Sequence, residues 1–174
     1  MNENNVYINK CTFSMLFFTT ALFFCATLSY AQPTLPQRTL TVNATQPLHF
    51  GAFCITGSGG GTVTVGYDGS RSSTGDIALL AISPMATPAI FELKLCEGRN
   101  VILTYSTTTA LTGSSNTLSL DIGPTEKGSS GSVFPTTGNC DYINLLRVGG
   151  TLTLPGDASS GIYSGNFNIT FIQE

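Results

Sequence analysis

The sequence predicts an all-β fold: an immunoglobulin-like two-sheet β-sandwich of seven or eight mainly antiparallel strands, preceded by a secretory signal peptide. Three observations predict it. Apolar residues recur at alternate positions in run after run beyond residue 38, and no stretch there carries the 3.6-residue period of a helix. Glycine is abundant, at 19 residues, and clusters with Asn, Asp, Ser and Pro between the runs, as tight turns between short strands require. Charged residues make up 10% of the chain against 41% hydrophobic, a balance that excludes a disordered chain and supports a core. A closed barrel satisfies the same alternation and is the second architecture the pattern allows.

The first 31 residues differ from the rest. Residues 1–10 are polar and end on Lys10, residues 13–28 carry no charge, and Ser29-Tyr30-Ala31 puts small residues at the third-last and last positions. This is the pattern of a signal peptide, with cleavage expected between Ala31 and Gln32. The apolar stretch is short of the ~20 residues that span a bilayer comfortably, and no basic cluster follows it. Cys25 follows Phe24 and not the small residue that a lipoprotein signal needs, so it reads as part of the discarded segment. The expected organisation is a signal peptide over 1–31, a short extended leader over 32–38 and one β-sandwich domain over 39–174. The expected destination is periplasmic, cell-surface or extracellular, with no membrane span after cleavage.

In the domain, Leu40, Val42 and Ala44 alternate with Thr39, Thr41 and Asn43, as in a first strand or in a donor strand offered to a neighbouring subunit. Pro47 then marks an edge or a change of sheet. Residues 62–65 and 75–81 flank the turn signal Tyr67-Asp68-Gly69-Ser70 and read as a hairpin. Residues 89–95 are the clearest amphipathic strand, with Phe91, Leu93 and Leu95 on one face and Glu92 and Lys94 on the other. Residues 100–105 follow the Glu97-Gly98 turn, and Leu118, Leu120 and Ile122 mark the next strand, ended by Gly123-Pro124. Residues 125–139 read as loop with a short extended piece at Val133-Phe134. Residues 143–154 carry Leu146, Val148, Leu152 and Leu154 around a bulge at Gly149-Gly150. After the turn at Pro155-Gly156-Asp157, the last segment places Tyr163, Phe167, Ile169 and Phe171 inward, with Asn166, Asn168 and Thr170 outward.

Chemistry-bearing residues are few. His49 is the single histidine, and beside Leu48 and Phe50 it reads as a rim residue; with Cys54 it lacks the third group that a nucleophilic triad needs. The glycines of residues 57–61 lead into a strand, without the lysine and helix of a phosphate-binding loop. Asp68, Asp76, Asp121, Asp141 and Asp157 are not at calcium-loop spacing and mostly sit in turns. No catalytic, cofactor-binding or metal-binding residue is assigned, and the expectation is a protein that is not an enzyme. A net charge of −3 with no basic stripe argues against nucleic acid. Tyr67, Tyr105 and Tyr142 are the rings that could stack on a glycan, in a chain without tryptophan. Cys54, Cys96 and Cys140 lie beyond the signal, and an exported domain favours disulfides. Three pairings are open. The order of an immunoglobulin-like sandwich favours Cys54 with Cys140, which leaves Cys96 free or intermolecular.

The ordered series GGTVTV (60–65), GSRSSTGDIALL (69–80), PAIFELKL (88–95), RVGGTLTL (147–154) and GIYSGNFNITF (161–171) resembles the bacterial exported family called domain of unknown function 4402. The resemblance covers nearly all of the chain after the signal, and a start at Gln32 after Tyr-Ala resembles exported proteins of Bacteroidota. It implies an immunoglobulin-like sandwich, distantly like spore coat protein U and chaperone–usher pilin domains, and transfers no catalytic residue. The expected role is a non-catalytic exported structural or adhesive subunit of the bacterial cell surface, fimbria-like or coat-like. Its partners would be other surface subunits or itself, joined by strand addition. The alternative is a monomeric extracellular binding module for a glycan or host protein.

Overall fold

The structure is a computed structural model, and it describes residues 40–95, 100–136 and 141–173. Every named strand in it pairs antiparallel, and no helix occurs among the described residues. The twelve strands are β1 (Leu40–Gln46), β2 (Phe53–Ile55), β3 (Gly61–Val65), β4 (Arg71–Gly75), β5 (Ile77–Leu79), β6 (Ala89–Leu95), β7 (Asn100–Tyr105), β8 (Thr108–Thr112), β9 (Thr117–Thr125), β10 (Val133–Pro135), β11 (Ile143–Leu154) and β12 (Ile169–Gln173). They form a seven-stranded sheet with the path β1-β6-β11-β3-β4 and the β8-β9 pair alongside β11, a three-stranded sheet β10-β7-β12, and a two-stranded ladder β2-β5. The arrangement is consistent with a β-sandwich.

The count exceeds the expected seven or eight for physical reasons. β2 and β10 are three residues each, too short for an alternation to register, and β8 is largely threonine. The hairpin partner of β3 is β4, not residues 75–81: Val65 pairs with Arg71 and Gly61 with Gly75. Gly75 has φ +69°, and this left-handed step ends β4 before β5 begins. The turn between β3 and β4 forms where the Tyr67–Ser70 signal placed it, with Gly66 N–H donating to Ser70 O at 2.8 Å. The last strand is shorter than expected and starts only at Ile169; in the preceding segment Ser164 makes an isolated bridge with Thr112.

β11 organises the large sheet. Its first half, through Val148, pairs with β6, and its second half, from Gly150, pairs with β3. β9 runs along its other side, with a register shift between Val148 and Gly150. The bulge read at Gly149-Gly150 is therefore the point where β11 changes neighbours. The core closes around Val63, Leu93, Leu95, Val101, Leu103, Leu146 and Val148, each 0% exposed. β7 supplies two of these from the three-stranded sheet and β3, β6 and β11 the others, so the two sheets share one core.

Candidate functional site

Among the described residues, one side of this double layer is left open. Leu40, Val42 and Ala44 pair with Leu95, Leu93 and Phe91 across β1 and β6, so all three stand on the face that carries the core. Leu93 and Leu95 are fully buried, yet Val42 is 38% exposed and Ala44 is exposed as well. The opposing sheet explains the difference, because it ends at β12. β12 lies over β6: the ring of Phe91 meets Phe171 at 6.3 Å and Phe167, edge-on, at 6.2 Å. β1 stands one strand spacing farther out, ~4.8 Å, and no described strand covers its inner face.

Among the described residues, the outer edge of β12 is free of backbone pairing. On β7, Leu103 N–H donates to Ser132 O at 2.9 Å and its carbonyl accepts from Gly131 N–H at 2.7 Å, both on the β10 side. Tyr105 does the same with the Ser130 hydroxyl, at 2.9 and 2.8 Å. Opposite residues of an antiparallel ladder either bond each other or both turn away. Phe171 faces Leu103 and Ile169 faces Tyr105, so these two β12 residues direct their N–H and C=O groups away from β7. The strand has no charged residue, proline or glycine, the devices that normally protect such an edge.

Two adjoining cavities run along the opening. One of about 350 Å³ lies among Ala44, Gln46, Leu48, Ala89, Phe91 and Phe167. The other, about 580 Å³, is lined by Leu48, Phe50, Leu111, Leu120, Leu152 and Phe167, among others. They share Leu48, Gly165 and Phe167, and no Asp, Glu, Lys or Arg lines either one. Ile162 stands at the rim of the larger cavity, 91% exposed. The rim segment is held by paired backbone bonds between Thr112 and Ser164, at 2.8 and 3.0 Å, and by the Thr109 hydroxyl on Asn166 O at 3.0 Å. Arg71 holds the other rim from β4, donating to Ala52 O at 2.7 Å and Leu80 O at 3.1 Å. Burial lowers the pKa of its guanidinium, as expected of a cation drawn partly out of water. Arg71 was not singled out in the sequence, because nothing in GSRSST distinguishes a clamp from a solvated arginine.

Such a surface suits an apolar, extended segment. The residues expected on the inward face of the last segment, Tyr163, Phe167, Ile169 and Phe171, are all partly buried and pack against the core, and Phe167 and Tyr163 line the larger cavity. Tyr105 is buried, with its pKa raised by desolvation, whereas Tyr67 and Tyr142 are 40% and 53% exposed. His49 lines the larger cavity, and its Nδ1 accepts from Gly51 N–H at 2.8 Å. Asp76 and Asp121 accept from Gly59 N–H and the Thr108 hydroxyl. Asp68 caps its turn through the amide and hydroxyl of Ser70, which hold its carboxyl below the usual range. No group of three His, Cys, Asp or Glu side chains with metal-holding geometry occurs among the described residues.

Cys54 sits on β2 opposite Ala78, exposed, with a free thiol. The immunoglobulin-like order put residue 54 near the end of the first strand, whereas it stands on β2 of the short β2-β5 ladder. Cys96 and Cys140 lie outside the described residues. In sequence they stand two residues after Lys94 and three before Ile143, which pair across β6 and β11. Non-reducing peptide mapping is expected to recover Cys54 as a free thiol. A linked peptide containing Cys54 would contradict the structure.

No curated protein and no solved structure matches the chain. A family model does match, over residues 40–172, which takes in every described strand but the last residue of β12. The series of motifs from GGTVTV to GIYSGNFNITF lies wholly inside that span, and the chain belongs to the family described as domain of unknown function (DUF4402).

Proposed function

We propose that this chain is a non-catalytic exported structural or adhesive subunit of the bacterial cell surface, fimbria-like or coat-like, which associates through the open side of its sandwich. One observation carries the reading: among the described residues, the apolar inner face of β1 is left uncovered beside the unpaired edge of β12. Apolar surface of this kind gains roughly 25 cal/mol for each Å² removed from water. An extended strand can remove it while satisfying the free backbone groups of Ile169 and Phe171. The reading takes residues 1–31 as a cleaved signal, supported by their polar, apolar and small-residue order, and lies outside the described residues. It takes the fold as immunoglobulin-like, supported by two antiparallel sheets around one core, and keeps the distant likeness to spore coat protein U and pilin domains. The monomeric glycan or host-protein binder draws its support from the exposed rings of Tyr67 and Tyr142.

Cys54 provides the test, since its thiol is exposed. On intact cells, a membrane-impermeant maleimide is expected to label it, on a chain whose first residue is Gln32. A full-length chain that stays unlabelled until the cells are broken would contradict the proposal.

A further inference from the structure

We infer that the occupant of the open side is a second copy of this chain, joined through reciprocal pairing of β1 with β12 in a closed twofold dimer. This rests on the reading of the open side as the association surface. β1 and β12 flank the same opening: β12 lies over β6, and β1 is the neighbour of β6. A copy that lays its β1 against this β12 therefore brings its own β12 towards this β1. Two contacts form together and leave neither edge free, which is the self-complementary arrangement of a twofold interface. Edges on opposite sides of the molecule would instead have favoured an open-ended chain of copies.

The chemistry of β1 fits that role. Its outward residues Thr41, Asn43 and Thr45 are polar, and its inward ones, Leu40, Val42 and Ala44, are apolar. Only Leu40 and Gln46 of the seven residues are even half-buried, so the strand is an apolar face with little over it. Beside the β12 of a second copy, β1 would extend that copy's three-stranded sheet, with its apolar residues on the same face as Ile169 and Phe171. The sheet β10-β7-β12 of each copy would then run on into β1 and β6 of the other. The Val42 lane of each copy would lie under the joined sheet. Neither strand carries a charge, so nothing opposes the approach.

The test is the mass of the chain from Gln32 to Glu174, measured by sedimentation across a wide concentration range, for the natural sequence and for Val42→Asp and Ala44→Lys. Both substituted side chains are exposed in a single copy, so folding is expected to persist, and circular dichroism checks it. The natural protein is expected to reach twice the monomer mass. Each variant should need a concentration higher by roughly 100-fold or more, because pairing would bury its charge. A dimer that both variants leave intact would overturn the β1–β12 pairing while leaving association itself in place. Open-ended polymers lost in both variants would overturn the closed dimer but keep the open side as the association surface. A monomer at every concentration would overturn both readings. A monomer that dimerises only after removal of residues 32–37 would name the chain's own leader as the occupant, and would equally overturn the inference.

Discussion

Replacing Leu93 with alanine is expected to destabilise the protein by about 2–5 kcal/mol, the range for emptying a fully buried leucine site. Leu93 is 0% exposed at the centre of β6, where it pairs with Val42 of β1 on one side and Asn144 of β11 on the other. Three of the surrounding core residues, Leu95, Leu103 and Leu146, are equally closed off from water, so little can move in to fill the gap. Urea unfolding should show a lower midpoint with an unchanged slope. The matched control is Ile162→Ala: the same kind of truncation at a 91% exposed side chain should change stability by no more than about 0.5 kcal/mol. Equal effects at the two positions would mean that β6 does not face a closed core.

Gly149→Ala is expected to cost about 1–3 kcal/mol, as overpacking does. A Cβ at this position would stand 2.5 Å from the carbonyl oxygen of Val65 and 3.0 Å from the amide nitrogen of Tyr67. Both are backbone atoms of the β3 strand and its turn, so no side chain can swing aside to relieve the contact. The strain falls where β11 passes from β6 to β3, and β3 should lose protection from amide exchange before β6 does. Gly161→Ala provides the comparison, because the nearest atom to its Cβ would be the Ser114 hydroxyl at 3.7 Å. It should be nearly neutral. A neutral Gly149→Ala would show that β11 and β3 are not packed this closely.

Legibility in the sequence followed the chemistry of each element. β6 was plain because Phe91, Leu93 and Leu95 alternate with Glu92 and Lys94, which leaves one phase for the core face. β11 was plain with its kink, since paired glycines inside a strong apolar strand mark a bulge or bend. β8 was missed because Thr108, Thr109 and Thr112 leave Leu111 as its single large apolar side chain. The open side was half legible. Leu40, Val42 and Ala44 were visible as an apolar face, but whether a strand covers them depends on which strand ends the opposing sheet. Alternation within a strand carries no information on that order. Arg71 and the free thiol of Cys54 were hidden for the same reason, since each depends on where the short β2-β5 ladder settles.

The most direct measurement is amide hydrogen exchange at Ile169 and Phe171, followed from dilute to concentrated protein. Their N–H groups face the outer edge of β12, whereas those of Thr170 and Ile172 face β7. If the open side is where copies join, Ile169 and Phe171 will exchange fast when dilute and become protected as concentration rises, with Thr170 and Ile172 slow throughout. Exchange at Ile169 and Phe171 that stays fast at every concentration would contradict the account.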